Sequence, residues 1–503
     1  MRSFGSIFMV LGGVLCFFGF RGTVSHSILV AVFVFSWLLI FGVSRSFRNS
    51  VKIQWGHAKA RFVAFSSADR GIIPWKSAFL FIGLPMGLLC LLNGRNISSY
   101  DNYGIQLTAA SLILNGSPDI SSLAGHRIGN VVNCNGLDYP VFCDSTGMKS
   151  GTPPGVLAFS LPFFLLGRLL GADLHRHHTL WRLSKWTASW VAAFCLTLFF
   201  IIALRVGPLT PSLLATVFVG SGSALLAIVG QGLWSHDGVT TGLMISLFAI
   251  FVLPRTSPMR GIFIGLGWSF MFASRLTAAT LIAPMALWLL ATEWRNFLIS
   301  GLAALLGLVP WALYSWRAWG SPLGPQALAV GGQVSVFSMG ILPEGLLGLS
   351  VSPASGFFIF QPWALLLLLY LWSPKAFPVK ASNPTGWQWL FLVMGVGQWI
   401  LFASFQNWSG QKCWGSRYLT EIVPLAGLAV VPILATFTDR SLLKRLAWTL
   451  GGIAFAIQLN GVLLRGGEWY YHPLYSYSTP EKRCLDWRDP AFLYPIPQWL
   501  LKR

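Results

Sequence analysis

Charge is scarce in this chain. Only 10% of its 503 residues are charged, against 54% apolar, where a soluble domain carries about a quarter charged residues. That shortage excludes a soluble globular fold. The alternating pattern of an outer-membrane barrel, in segments of about ten residues, is also missing. Neither a Walker A run nor a Rossmann glycine fingerprint occurs, so nothing here marks a nucleotide site. No convincing repeat relates the two halves, and a repeat is a common mark of secondary transporters. Acids are the scarcest charges, 15 against 35 Lys and Arg, which leaves a net charge of +20.

What the chain does hold is apolar residues in long blocks. They run approximately over 4–20, 27–43, 77–93, 154–170, 186–204, 211–230, 238–253, 260–274, 276–292, 297–316, 355–373, 387–405, 421–437 and 446–464. Blocks of this length cross about 30 Å of hydrocarbon as helices. In lipid each backbone polar group needs a partner inside its own segment, which a helix supplies. The sequence therefore predicts an all-α polytopic integral membrane protein, a helical bundle of about 12–14 transmembrane crossings.

The basic excess could serve nucleic acid, but its placement points elsewhere. Segment 44–76 holds Arg45, Arg48, Lys52, Lys59, Arg61, Arg70 and Lys76 against one acid, Asp69. Smaller clusters follow at Arg255/Arg260, Lys375/Lys380 and Arg440/Lys444/Arg445. Short basic loops between hydrophobic spans mark the cytoplasmic face, so the expected partner is the lipid bilayer and no nucleic acid. The block after Met1-Arg2 has no convincing small-residue cleavage site and is expected to stay as a membrane helix.

With 44–76 inside, the span 77–93 delivers the loop 94–153 to the outer face. That loop carries Asp101, Asp119, Asp138 and Asp144, four of the chain's 15 acids. It also holds Cys134 and Cys143, for which a disulfide and a pair of thiols both remain open. Counting back from the C-terminus puts 317–354, 406–420 and the tail 465–503 outside as well. The two counts disagree by one crossing between 154 and 237, and the Gly/Ser-rich stretch 220–232 is the expected place for a segment that enters and returns. The chain thus divides into an N-terminal hairpin with a basic loop (1–76), a membrane module (77–464) and an outer tail (465–503).

The unusual polar residues gather at the outer ends of helices, which suits an enzyme working at the membrane surface more than a transporter with mid-span charges. The first loop opens Ser-Ser-Tyr-Asp-Asn-Tyr-Gly (98–104) and continues as an amphipathic stretch to Asn115-Gly116. Met148-Lys149-Ser-Gly-Thr-Pro-Pro-Gly155 then leads into the next span. Further on come Gln231-Gly-Leu-Trp-Ser-His-Asp237, the run Gly348-Leu-Ser-Val-Ser-Pro353-Ala-Ser-Gly356 through Pro362, and Trp414-Gly-Ser-Arg417-Tyr418-Leu419 ahead of Pro424.

In order and common sidedness these stretches resemble the GT-C glycosyltransferase superfamily, in the branch of protein O-mannosyltransferases and lipid A aminoarabinose transferases. The resemblance implies a sugar passed from a polyprenyl phosphate carrier to a glycan, lipid or protein acceptor. The reaction would run at the outer, periplasmic face of a bacterial inner membrane. Many members have an acidic pair where this chain has Asp101-Asn102, which leaves one candidate base there, and the hairpin 4–43 is an added element. The donor's phosphate ester already carries the driving force, so no cofactor is firmly expected; a divalent metal ion stays open, with no metal ligands assigned. The rivals are a lipid-linked glycan flippase or transporter and an O-antigen ligase or polymerase.

This chemistry needs a carboxylate to take the acceptor's proton, and Asp101 fits, its bland alternative being a helix cap. It also needs cations aimed at the departing phosphate. Arg417 can fork onto phosphate oxygens, or with Trp414 and Tyr418 it anchors the interface. Lys149 and Arg275 are further candidates, Arg275 because an ionisable group inside an apolar stretch is costly. His236 and Asp237 stand at a helix boundary, where Asp237 either positions the acceptor, orients His236 or caps the helix. His175-Arg176-His177-His178 has no carboxylate or thiolate at ligand spacing and reads as a basic juxtamembrane stretch.

Overall fold

A computed structural model describes residues 45–67, 73–93, 100–124, 141–144, 147–324, 337–372, 384–410, 413–437, 441–463, 480–488 and 490–493. The hairpin expected at 4–43, Asp138, Cys134 and most of the tail 465–503 lie outside the described residues. Asp101 and Cys143 are described in their backbone alone.

Helices dominate. In chain order they are α1 (Arg45–Ser67), α2 (Trp75–Leu92), α3 (Tyr100–Asn115), α4 (Leu157–Leu169), α5 (His177–Val206), α6 (Leu209–Ser221) and α7 (Ser235–Val252). There follow α8 (Pro258–Ser274), α9 (Ala279–Thr292), α10 (Trp294–Trp319), α11 (Leu342–Val351), α12 (Trp387–Ala403), α13 (Val423–Ala435) and α14 (Ser441–Leu463). The one sheet among the described residues is an antiparallel hairpin of β1 (Val141–Asp144) and β2 (Gly147–Ser150). Six helical runs there are long and apolar enough to cross a membrane: α2, α5, α7, α10, Arg417–Ala435 and Leu442–Val462. The protein is an all-α integral membrane protein.

Burial sorts these helices by neighbour. In α5, 89% of the apolar window is buried inside the protein, whereas in α10 only 11% is, so α10 presents its leucines to lipid. Helix α5 is the central post, with α2, α6, α7 and α13 around it. Helices α7, α8 and α10 form a layer beside it. Small residues let that layer close: Gly238 and Gly242 on α7, Gly261 and Gly265 on α8 stand four apart, as helix contacts in lipid favour. A Cβ on Gly242 would run into the Gly267 carbonyl, and one on Gly265 into the Ser300 carbonyl.

One end of the layer is locked by charge. Arg260, 2% exposed, forks onto Glu293 with contacts of 2.7 and 2.6 Å. Its remaining nitrogen donates to the Ala249, Ile250 and Leu253 carbonyls that end α7. The His236 end of α7 is the opposite one.

Three expectations change. First, 44–76 is not simply a loop: α1 occupies most of it. Trp55, Ala58, Phe62 and Phe65 recur at helical spacing and pack on Phe81, Phe200 and Arg205, burying one stripe while Lys59 and Arg61 stay exposed. Second, α3 is not an amphipathic surface helix. Residues 104–111 are buried throughout because β2, α4 and α5 cover it; Gly116, at φ +64°, ends it as a left-handed cap. Third, the segment that returns is α4, not 220–232. Residues 209–230 lead from the far end of α5 back to the end where α7 begins, breaking at Gly222, whose carbonyl accepts from the Trp363 indole. The chain entering α4 instead starts with Gly155 against Ser274, and α4 ends with Gly167 against Leu183. The neighbouring Ser184 and Lys185 bond Leu233 and Gly230 at that same end. Both ends of α4 therefore pack toward the end of the bundle where α7 begins.

Candidate functional site

Three chain breaks meet at that end of the bundle. Helix α7 begins after Trp234, whose backbone N–H donates to Asp237 Oδ2 at 3.2 Å, an acid serving the helix start. Helix α8 stops at Ser274, and Arg275 takes an extended backbone (φ −159°, ψ 129°) before the 3-10 turn Leu276–Ala278. Ahead of α13 the chain turns at Gly415, φ +74°, packed on Phe360, and forms the 3-10 turn Arg417–Ile422. Each break frees a side chain from the helical surface pattern and aims it at the others.

The result is a buried cluster of Arg275, His236 and Glu421. His236 Nδ1 lies 2.7 Å from Glu421 Oε1. Arg275 Nη1 lies 2.9 Å from each ring nitrogen of His236 and 3.6 Å from Glu421 Oε1. Matching donors to acceptors assigns the Nδ1 proton to the bond with Glu421, while Arg275 Nη1, equally close to both nitrogens, lies against the imidazole as a whole. His236 and Glu421 are 2% and 1% exposed, while Arg275 keeps 13% of its side chain accessible. The guanidinium is thus the member of the three that faces outward.

Aromatic rings hold the cations in place. Arg275 Cζ stands 5.3 Å from the Phe402 ring and 5.7 Å from Tyr418, and these two rings stack at 4.7 Å. Arg417 Cζ stands 4.9 Å from Tyr418 and 5.3 Å from Trp234. It also donates to the Tyr418 hydroxyl at 3.2 Å and to Cys413 Sγ at 3.4 Å. Two guanidiniums therefore share one tyrosine, with the Glu421 carboxylate beside Arg275. Stacking against aromatic faces holds both guanidinium planes in place, and a guanidinium plane suits a planar or tetrahedral oxyanion.

Of the residues singled out from sequence, His236, Asp237, Arg275, Arg417 and Tyr418 come together here. Asp237 is fully buried and caps α7; its Oδ1 has no partner among the described residues. Asp101 falls in the first turn of α3, next to Asn102. With its amide set to match donors and acceptors, Asn102 donates to the Leu233 carbonyl and accepts from the Trp234 indole, both at 3.1 Å. The first loop is thereby fastened to the start of α7. Lys149 sits on β2, 8% exposed, with its ammonium 5.8 Å from the Trp319 ring. Its hairpin is pinned by Asp119, which accepts from the Ser121 N–H and hydroxyl and from the Met148 N–H. Burial pushes the Asp119 carboxyl up, but the Ser121 and Met148 hydrogen bonds and nearby Lys149 outweigh it and hold the carboxyl below its usual range.

Sequence reasoning missed Glu421 and Lys185. Both are ionisable groups in apolar spans, and the rule that picked out Arg275 would have found them. Lys185 acts as a tie between helices. It donates to the Gly230 carbonyl at 3.1 Å and to Gln231 Oε1 at 2.5 Å, and Asn93 meets the same oxygen at 3.1 Å. These bonds join α2, α5 and the approach to α7. The histidine run behaves as a packed surface: His177 stacks on Tyr103 and meets Trp181 edge-on, and Arg176 pairs with Asp173. Among the described residues no group of three His, Cys, Asp or Glu is placed to hold a metal ion. No protein-family model matches the chain, and a search of curated proteins finds none similar to it.

Proposed function

We propose that this protein is an inverting membrane glycosyltransferase of GT-C type, taking a sugar from a polyprenyl phosphate carrier and passing it to an acceptor. In this reading the bundle has about 12–14 crossings, lies in a bacterial inner membrane and opens its site to the periplasm. The observation that carries the reading is the pair Arg275 and Arg417 around Tyr418, at helix ends on one face of an all-α membrane protein. A departing lipid phosphate needs fixed positive charge in a water-poor setting, and two stacked guanidiniums provide it. Asp101 is the base that takes the acceptor hydroxyl's proton as oxygen attacks the anomeric carbon; carbon–phosphate oxygen cleavage then releases the carrier phosphate with inversion. In the same reading Lys149 serves substrate binding directly, and the enclosed His236 and Asp237 serve it through the residues they hold in place. A flippase calls for its polar site near mid-membrane, and the position of this cluster at helix ends supports the enzyme instead.

The test is lipid and turnover together. Purified wild-type protein should copurify a phosphorylated polyprenyl lipid, identified by mass spectrometry, and should transfer sugar from a synthetic polyprenyl phosphate donor. Arg275→Ala should lose both. Turnover of no such donor, with no phospholipid carrier bound, would discard the assignment.

A further inference from the structure

We infer that Glu421 is a positioning residue: acting through His236, it sets the direction in which Arg275 presents its guanidinium to a phosphate. The inference rests on the donor-site reading above and deepens it. Glu421 and Arg275 form a loose ion pair at 3.6 Å, too long for a directional hydrogen bond, whereas Glu421 and His236 are in tight contact at 2.7 Å. The carboxylate's directional hold on the guanidinium therefore runs through the imidazole. A neutral histidine whose Nδ1–H is held by a carboxylate has one ring orientation and one tautomer, with Nε2 as the acceptor. Arg275 Nη1 lies 2.9 Å from both nitrogens of the ring so fixed, and the ring therefore sets the near side of the guanidinium.

The rest of the setting agrees. Phe402 and Tyr418 stand beside the same guanidinium, so the imidazole and two aromatic rings together limit its orientation. His236 and Glu421 are both almost fully enclosed, so neither can meet a large substrate directly, while Arg275 can. Glu421 belongs to the 3-10 turn that also carries Arg417 and Tyr418, so one short turn orients both cations. A carboxylate placed only to neutralise Arg275 would pair with it directly, as Glu293 does with Arg260.

The test uses the full-length protein in nanodiscs with undecaprenyl phosphate as the probe and undecaprenol as its uncharged counterpart. Glu421→Ala should weaken undecaprenyl phosphate binding about tenfold or more and leave undecaprenol binding as in wild type. Glu421→Gln keeps an oxygen for the Nδ1–H and should restore a large part of the lost affinity. An Ala variant that binds the phosphate normally overturns the inference. So does equal weakening toward both lipids, which marks a merely structural role, and so does a Gln variant no better than Ala. Arg275→Ala separates the two levels: if it leaves phosphate binding intact the donor-site reading itself fails, and if it weakens binding while Glu421→Ala does not, only the positioning role falls.

Discussion

Replacing Arg275 by Met separates what this residue does for the fold from what it does for a ligand. Met keeps the unbranched apolar stem of Arg275 but ends short of the guanidinium that stands over Phe402 and Tyr418, and it carries no charge. It leaves Glu421, 1% exposed, with only the neutral His236. Breaking a buried ion pair from one side costs about 3–5 kcal/mol. The 3.6 Å separation and the partial exposure of Arg275 put this site toward the lower end, about 3 kcal/mol. Removing both charges should return most of that, because a buried pair replaced as a whole is close to neutral. The double variant Arg275→Met/Glu421→Gln also keeps an acceptor for His236 Nδ1. In thermal unfolding in nanodiscs, the single Met variant should therefore melt several degrees below wild type and the double variant close to it. Donor turnover behaves otherwise: kcat/KM should fall by about 2–4 kcal/mol, roughly 30- to 1,000-fold, in both, since neither presents a cation. A single Met variant as stable as wild type would refute the claim that Arg275 compensates Glu421. Recovery of turnover in the double variant would refute its role as a phosphate partner.

Four further outcomes follow from the same geometry. Asp101→Asn keeps size and suits a helix start equally well, so as the base it should cost about 100- to 10,000-fold in turnover with unchanged stability, and an active variant moves attention to Asp237. Arg417→Ala should lose about 2–4 kcal/mol in donor kinetics with Arg417→Lys between it and wild type, because Lys keeps the charge and loses the fork; unchanged kinetics return Arg417 to interface anchoring. In a cysteine-free background, a membrane-impermeant thiol reagent should reach Ser122→Cys from outside and Lys59→Cys only after permeabilisation, and the reverse pattern would overturn the sidedness. The depressed Asp119 pKa means that its ionised form supports the fold, a contribution present above the ordinary carboxylate value of 3.8 and lost as pH falls through the lower folded value. Hydrogen-exchange protection of the Met148 amide should drop on that acid limb, and constant protection would sever the link between Asp119 and the Lys149 hairpin.

How much of this the sequence discloses depends on the range of the interaction involved. The spans are legible because hydropathy over about twenty residues decides whether a helix can sit in lipid, and that is a local property. Arg275 is legible for a similar reason: one ionisable residue among Phe, Ala, Leu and Thr stands out whatever it touches. Asn102 looks like a missing acid, and its role in fastening α3 to Trp234 depends on a loop-to-helix contact no spacing encodes. Gly and Ser clustered at 220–232 suggest a returning segment, yet a glycine-rich break can lie within a crossing. What places the entrance of α4 is the packing of Gly155 and Gly238 around Ser274, residues far apart in the chain. Helix α1 is hidden by its own charges, since a count of Lys and Arg weighs net charge while Trp55, Ala58, Phe62 and Phe65 act through their spacing. Glu421 shows the same limit most sharply. Its neighbours in Arg417-Tyr418-Leu419 are the conspicuous ones, and its partner His236 lies 185 residues away. An acid in an apolar span is costly enough to demand a partner, so its presence can be flagged from sequence, but which histidine and which arginine answer it is decided only when the breaks before α7, after α8 and before α13 meet.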